Sequence, residues 1–297
     1  MNKLPVILLS VLVLLTACKG DDWISSEPQL VVDGWIDSDG FPTVILTKSV
    51  VANKHYQSLD SLQNNLIRWA KVTVSDGTDS VILIGYPDRQ NFPPYCYGSW
   101  DMRGEVGKTY TMTAKYEDFY VEASTTILPP VDVDSFVVER LAGIDTLYSI
   151  KAFFTDDPAT QDYYKFFTHV KGHTDYYLTS HLGTLSDEST HNPISVDVHR
   201  GHIVFEEEAE TRFSAGDTVF VKFAHIDEST YNFWKDHETQ VIIGRNPMFP
   251  VNTNVHSNVR GGLGCWCGYG AREYCIIIPR EEKRLVIRHP SSLVLSN

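Results

Sequence analysis

Gln29-Leu30-Val31-Val32-Asp33-Gly34-Trp35-Ile36 and Thr43-Val44-Ile45-Leu46-Thr47 decide the fold class. Both are short runs rich in β-branched residues, which pack well on a pleated surface. Between them stands Asp37-Ser38-Asp39-Gly40-Phe41-Pro42, where Asp, Gly and Pro each favour a turn. The same grammar repeats downstream. Lys71-Val72-Thr73-Val74-Ser75 alternates and passes through Asp76-Gly77, a hairpin pair, into Ser80-Val81-Ile82-Leu83-Ile84. Thr109–Ala114 and Phe119–Thr126 form another such pair around Tyr116-Glu117-Asp118.

About seven strands by Thr126, with no long helical period, predict an immunoglobulin-like sandwich over residues 28–128. Residues 53–69 are polar and aperiodic, and read as a long excursion between strands. Leu128-Pro129-Pro130 then marks a junction over 129–134, because two prolines fix φ and remove two N–H donors. A second β-rich unit is expected over 135–279, with strands at 135–140, 147–154, 163–170, 176–180, 203–207 and 218–223. It carries one short helix. Asp227 is its N-cap, Ile226 and Tyr231 form a hydrophobic staple, and Tyr231, Trp234 and Val241 share a face. Residues 280–297 read as a polar tail. The fold class is mostly β, in two β-rich domains, the second sandwich-like.

The first residues speak to location. Lys3, the apolar run Leu4–Leu15 and a small-residue end make a secretory signal over 1–17. The run is too short for a spanning helix, which needs ~20 residues. Leu15-Thr16-Ala17-Cys18 resembles the bacterial lipobox, which implies a mature chain starting at an acylated Cys18 and held to a bilayer by lipid. Residues 18–27 would be its tether. Each buried CH₂ contributes roughly 0.8 kcal/mol, so several chains on one residue give a lasting anchor. Lys19-Gly20-Asp21-Asp22 resembles the signal that follows the lipidated Cys in surface lipoproteins of the Bacteroidota. It implies outer-membrane attachment facing the cell surface.

A net charge of −13 argues against nucleic acid as a partner, since phosphates would be repelled. With 42% apolar residues the chain has material for buried cores, which excludes global disorder. Cys96, Cys265, Cys267 and Cys275 remain besides Cys18. In an oxidising compartment they are candidates for up to two disulfides, with Cys265 or Cys267 bonded to Cys96 or Cys275; free buried thiols are the alternative. Cys265 and Cys267 share a strand face and are not expected to bond each other.

No catalytic constellation stands out. There is no Gly-x-Ser-x-Gly elbow and no His-Glu-x-x-His. Arg260-Gly261-Gly262-Leu263-Gly264 lacks the Lys-Ser/Thr of a phosphate loop and reads as a tight turn or close backbone approach. Neither His169/His173 nor His199/His202 has strand spacing suited to chelation. Cys265, Cys267 and Cys275 with His256 fit zinc spacing less well than they fit disulfides or packed thiols. Asp156-Asp157-Pro158 offers calcium ligands, yet Asp and Pro both favour a turn, and the turn is the reading adopted. No metal and no cofactor is therefore expected. Tyr95, Tyr97 and Trp100, in Pro93–Trp100, are the candidate ligand contacts, because aromatic loops supply stiff contact area.

The order of these pieces resembles a family of Bacteroidota envelope lipoproteins known as domain of unknown function 4249. The matching pieces are Leu30–Ile36, Gly107-Lys108-Thr109-Tyr110, Leu128-Pro129-Pro130, Phe154-Thr155-Asp156-Asp157-Pro158 before Tyr163-Tyr164, and Asn258–Gly264. Where an aromatic commonly follows Leu-Gly in that family, this chain has Cys265-Trp266-Cys267. The resemblance implies a non-enzymatic accessory partner of a TonB-dependent transporter in nutrient uptake. A structural or adhesive surface lipoprotein and a cell-surface hydrolase are the alternatives.

Overall fold

The computed structural model describes residues 28–49, 65–88, 91, 93–144, 146–174, 176–188, 192–201, 211–243 and 255–293. The signal segment, the whole 18–27 tether with Cys18, and the strand expected at 203–207 lie outside them. Among the described residues the chain is mostly β, with sixteen strands and one helix.

The opening pair forms as the turn chemistry predicts. β1 (Leu30–Asp37) and β2 (Thr43–Lys48) are antiparallel, with Val32 opposite Leu46. β3 (Lys71–Ser75) and β4 (Ser80–Tyr86) close around Asp76-Gly77. There Asp76 Oδ1 accepts from the Thr78 and Asp79 N–H groups at 3.0 and 2.8 Å, which holds its carboxyl down at about 2. β5 (Cys96–Gly98), β6 (Thr109–Tyr116) and β7 (Phe119–Thr126) complete the first half. The second half comprises β8 (Ser135–Arg140), β9 (Leu147–Phe154), β10 (Tyr163–Val170), β11 (Leu178–Ser186), β12 (Ile194–Val198), β13 (Phe213–Ser214), β14 (Thr218–Ile226), helix α1 (Glu228–Ile243), β15 (Leu263–Ile277) and β16 (Arg284–Arg288).

Eleven strands make one continuous sheet in the order β11-β10-β14-β15-β1-β2-β5-β4-β3-β6-β7, and β12-β9-β8-β16 form a second, with β13 added on β9. The strand joining the two halves is β15. Its first part runs parallel to β1, Val31 opposite Leu263 through Asp37 opposite Tyr269. Its second part is antiparallel to β14, from His225 opposite Gly270 to Thr218 opposite Ile277. The chain expected entirely within the second unit therefore supplies a strand to the first. The first half of the sheet coils back on itself without a closing ladder: Gly268 N–H on β15 donates to Thr125 Oγ1 on β7 at 2.8 Å.

Alternation along β15 feeds two cores from one face. Trp266, fully buried, enters the first core beside Leu30, Val44, Tyr110 and Met112. Its indole N–H donates to the Tyr110 carbonyl at 2.9 Å. Tyr274 and Ile276 enter the second core, where β8, β9 and β12 face β10, β14 and β15 in a sandwich with Phe136, Phe154, Phe166 and Phe223 between. The glycine-rich segment is a close approach, as its residues suggest. Gly264 takes φ +104, and a Cβ there would stand 1.8 Å from the Val32 carbonyl oxygen. The 280–297 tail is corrected in part: β16 pairs with β8, and Leu285 and Ile287 turn inward against the second core.

The opposite, odd-numbered face of β15 lies under α1. Cys265, Cys267 and Tyr269 pack with Phe167, Ala224, Ile226, Tyr231 and Trp234. Asp227 caps the helix as expected, its Oδ1 accepting from Thr230 N–H at 2.8 Å. Its Oδ2 accepts from Thr125 Oγ1 at 3.1 Å, which ties the helix start to β7.

Candidate functional site

The loops after β9 and β11 converge at one end of the second sandwich, around an open cleft of about 640 Å³ lined by Asp156, Thr160, Asp187, Glu188, Asn192 and Ile194, among others. The 156–158 turn forms as expected: Asp157 N–H donates to Asp156 Oδ1 at 2.8 Å and Ala159 N–H to Asp157 Oδ1 at 3.0 Å. The turn does more than reverse the chain. It brings Asp156 beside Asp162 and Asp187, so that one carboxylate oxygen from each lies within 4.8 Å of the others. Asn192 clamps the turn, accepting from Asp156 N–H at 3.0 Å and donating to its carbonyl at 2.7 Å. Asp187 Oδ1 accepts from Asp162 N–H at 3.0 Å, and Thr160 Oγ1 donates to Asp162 Oδ2 at 2.5 Å.

Behind the carboxylates the wall is aromatic. Tyr164 is fully buried against Phe154 and Phe223. Its hydroxyl faces the Asp156 carboxyl, a donor turned toward an acceptor. Burial first, then the neighbouring Asp162 charge, pushes the Asp156 carboxyl up. His225 closes the back. Its Nδ1 donates to the Pro129 carbonyl at 2.8 Å, and Nε2 stands 3.0 Å from Asp162 Oδ1. None of the described lining residues is Lys or Arg. Asp162 and Asp187 were not legible as site residues, because each reaches Asp156 only across a loop or a strand.

A second buried polar group lies under α1. Lys165, fully buried, places Nζ 2.6 Å from Glu238 Oε1 and 2.9 Å from Thr184 Oγ1. Burial brings the Lys165 amine down to about 8 against the opposing pull of Glu238. It fixes the helix to β10 and β11.

The sequence-picked contacts divide. Tyr97 is buried: its hydroxyl donates to the Ile67 carbonyl and accepts from Ala70 N–H, both at 2.9 Å. Tyr95 donates to the Arg68 carbonyl at 2.9 Å. Both act as ties for the segment before β3. Trp100 does reach solvent, 66% exposed and stacked on Tyr86 at 5.8 Å. It extends a patch missed in the sequence: Ile82 and Ile84, 59% and 64% exposed, share the outer face of β4 with Tyr86. Trp69, just before β3, is 88% exposed. The signal was there in Val81-Ile82-Leu83-Ile84, whose unbroken apolar run must place isoleucines on the outer face.

All four described cysteines are free, so the expected pairings to Cys96 or Cys275 are absent. The sheet explains this. Cys96 lies on β5 and Cys275 on the exposed far end of β15. Cys265 and Cys267, expected not to meet, have Sγ atoms 2.6 Å apart, because both lean together beneath α1. His256 is engaged elsewhere, its Nε2 3.1 Å from Ser229 Oγ. His199 Nδ1 donates to the His181 carbonyl at 3.0 Å. Cys18 lies outside the described residues.

The family model described as Domain of unknown function (DUF4249) matches residues 21–274. The chain belongs to this family. The DUF4249 match runs through both cores and ends at Tyr274, so it takes in the shared strand almost whole. It also includes the three aspartates of the cleft and the apolar patch on β4. No curated protein matches the sequence.

Proposed function

We propose that this DUF4249 protein is a non-enzymatic outer-membrane lipoprotein, anchored through an acylated Cys18, facing the cell surface, and acting as the accessory partner of a TonB-dependent transporter in nutrient uptake. The observation that carries the binding role is the apolar patch of Ile82, Ile84 and Trp100, joined through Tyr86. Contiguous exposed apolar surface is costly in water and marks places where partners dock. Aromatic side chains with little rotamer freedom make good anchors in such contacts. The Leu15–Cys18 lipobox and its charged lead-in support the anchored location, and the net charge of −13 is consistent with a partner that is not nucleic acid.

The first core reads as an immunoglobulin-like sandwich within this proposal. Strands β1, β2, β3, β6 and β7 enclose it from two sides, and the three-residue β5 joins the layers through β2 and β4.

Co-purification from native membranes under mild solubilisation tests the reading. A TonB-dependent transporter should be recovered with the wild-type chain and lost with I84S,W100S, both exposed positions whose replacement leaves the cores intact. Recovery without any outer-membrane transporter contradicts it.

A further inference from the structure

We infer that Cys265 and Cys267 are a redox-active pair, closed into a reversible disulfide by small-molecule disulfide oxidants. The inference does not rest on the transporter reading. The two thiols flank Trp266 on β15, point to the same side of the strand and bring their Sγ atoms to 2.6 Å beneath α1. Strand geometry allows the bond. With its usual rise per residue, a strand sets residues i and i+2 about 6.4–6.8 Å apart at Cα. Disulfides span Cα separations of about 4.4–6.8 Å, so closure needs only a slight deepening of the pleat.

β15 has freedom for that adjustment at this point. On one side it pairs with β1, Gly34 opposite Trp266. On the other side the β14 ladder begins only at Gly270. There the Trp266 N–H and carbonyl are taken by the Asn258 side chain, at 2.9 and 2.8 Å. A single side chain follows a small shift that a strand ladder would resist. The surroundings suit a neutral, bonded product. Both cysteines are 2% exposed and pack with Phe167, Ala224, Ile226, Tyr231 and Trp234. Burial, then the hydrogen bond with Cys267, pushes the Cys265 thiol well above its usual range.

Exchange therefore begins when α1 lifts locally and one thiol ionises. That thiolate attacks one sulfur of the oxidant, here glutathione disulfide, and expels the other as a glutathione thiolate. The second cysteine, deprotonated in turn, attacks the protein sulfur of the mixed disulfide and expels the remaining glutathione thiolate. The two cysteine protons end on the two expelled thiolates. One oxidant is reduced to two glutathiones as the protein dithiol is oxidised to one disulfide.

The test equilibrates the full wild-type chain in glutathione redox buffer, from the reduced and from the oxidised side, folded and in urea. Samples are then acid-quenched, alkylated and digested with trypsin. The peptide Gly261–Arg272 holds Cys265 and Cys267 and neither Cys96 nor Cys275. Under oxidising buffer it should lose two hydrogens and take up no alkyl group. At one glutathione ratio, its oxidised-to-reduced ratio should be about tenfold or more higher in the folded chain than in urea, because the fold already fixes both side chains near the product geometry. An equal or lower ratio in the fold overturns the inference. So does a peptide that keeps both thiols, or one that carries glutathione in place of the internal bond.

Discussion

Lys222 on β14 places its Nζ 2.6 Å from both carboxylate oxygens of Asp37 on β1, across 185 residues of sequence. The two strands flank β15 on opposite sides, so this pair spans the shared strand. Lys222 also lies over the Tyr269 ring at 4.8 Å. The side chains are 7% and 19% exposed, so removing one partner leaves a charge with little water to turn to. D37A should therefore destabilise the fold by about 3 kcal/mol, while the matched pair K222M,D37L costs much less. Denaturant unfolding of the two variants checks this. A single variant that costs no more than the double contradicts it.

Trp266 and Tyr274 sit eight residues apart on β15, each fully inside a different core. W266A should cost about 3–5 kcal/mol, the range for emptying a large aromatic site. Because one strand serves both cores, the described body should unfold in one transition followed by two probes, one in each core. Two well-separated transitions would show that β15 does not couple them.

Lys165 titrates at about 8 in the fold against 10.5 when unfolded. Between those values the unfolded chain holds more protons, so stability rises with pH. The contribution is fully present above 10.5 and is lost as pH falls through 8. Wild type should gain on K165M,E238Q across that window. Parallel stability curves count against the buried amine.

The thiols should separate by reactivity. Cys275 is exposed, while Cys96, Cys265 and Cys267 are buried, and burial pushes the Cys96 thiol up to about 11 and that of Cys265 well above the usual range. Among these four cysteines, mass analysis after alkylation should find one native adduct, at Cys275, and the other three only after unfolding. If Cys265 and Cys267 resist labelling in denaturant until a reductant is added, they are bonded rather than free.

Local chemistry was legible in the sequence, and pairing across the chain was not. Asp76-Gly77 and the Asp227 cap declare themselves within a few residues, and both appear where the side chains place them. The close approach at Gly264 was likewise readable, though not its partner, Val32, which lies 232 positions away. Parallel pairing of β1 with β15 leaves no short-range turn to read, so the shared strand stayed hidden. Tyr97 looked like a loop aromatic because nothing in Pro93–Trp100 shows that Ile67 and Ala70 return to cover it. The cleft was half visible: the Asp156 turn was plain, and the arrival of Asp162 and Asp187 was a property of the fold. The Leu285/Ile287 alternation in the tail was masked by the charges around it.

Anchoring through an acylated Cys18 is tested by mass spectrometry of the N-terminal peptide from native membranes. It predicts a mature chain that starts at Cys18 and carries fatty acyl groups on its sulfur and amine. An N-terminal peptide with an unmodified Cys18, or one cleaved elsewhere and released from the membrane, would contradict it.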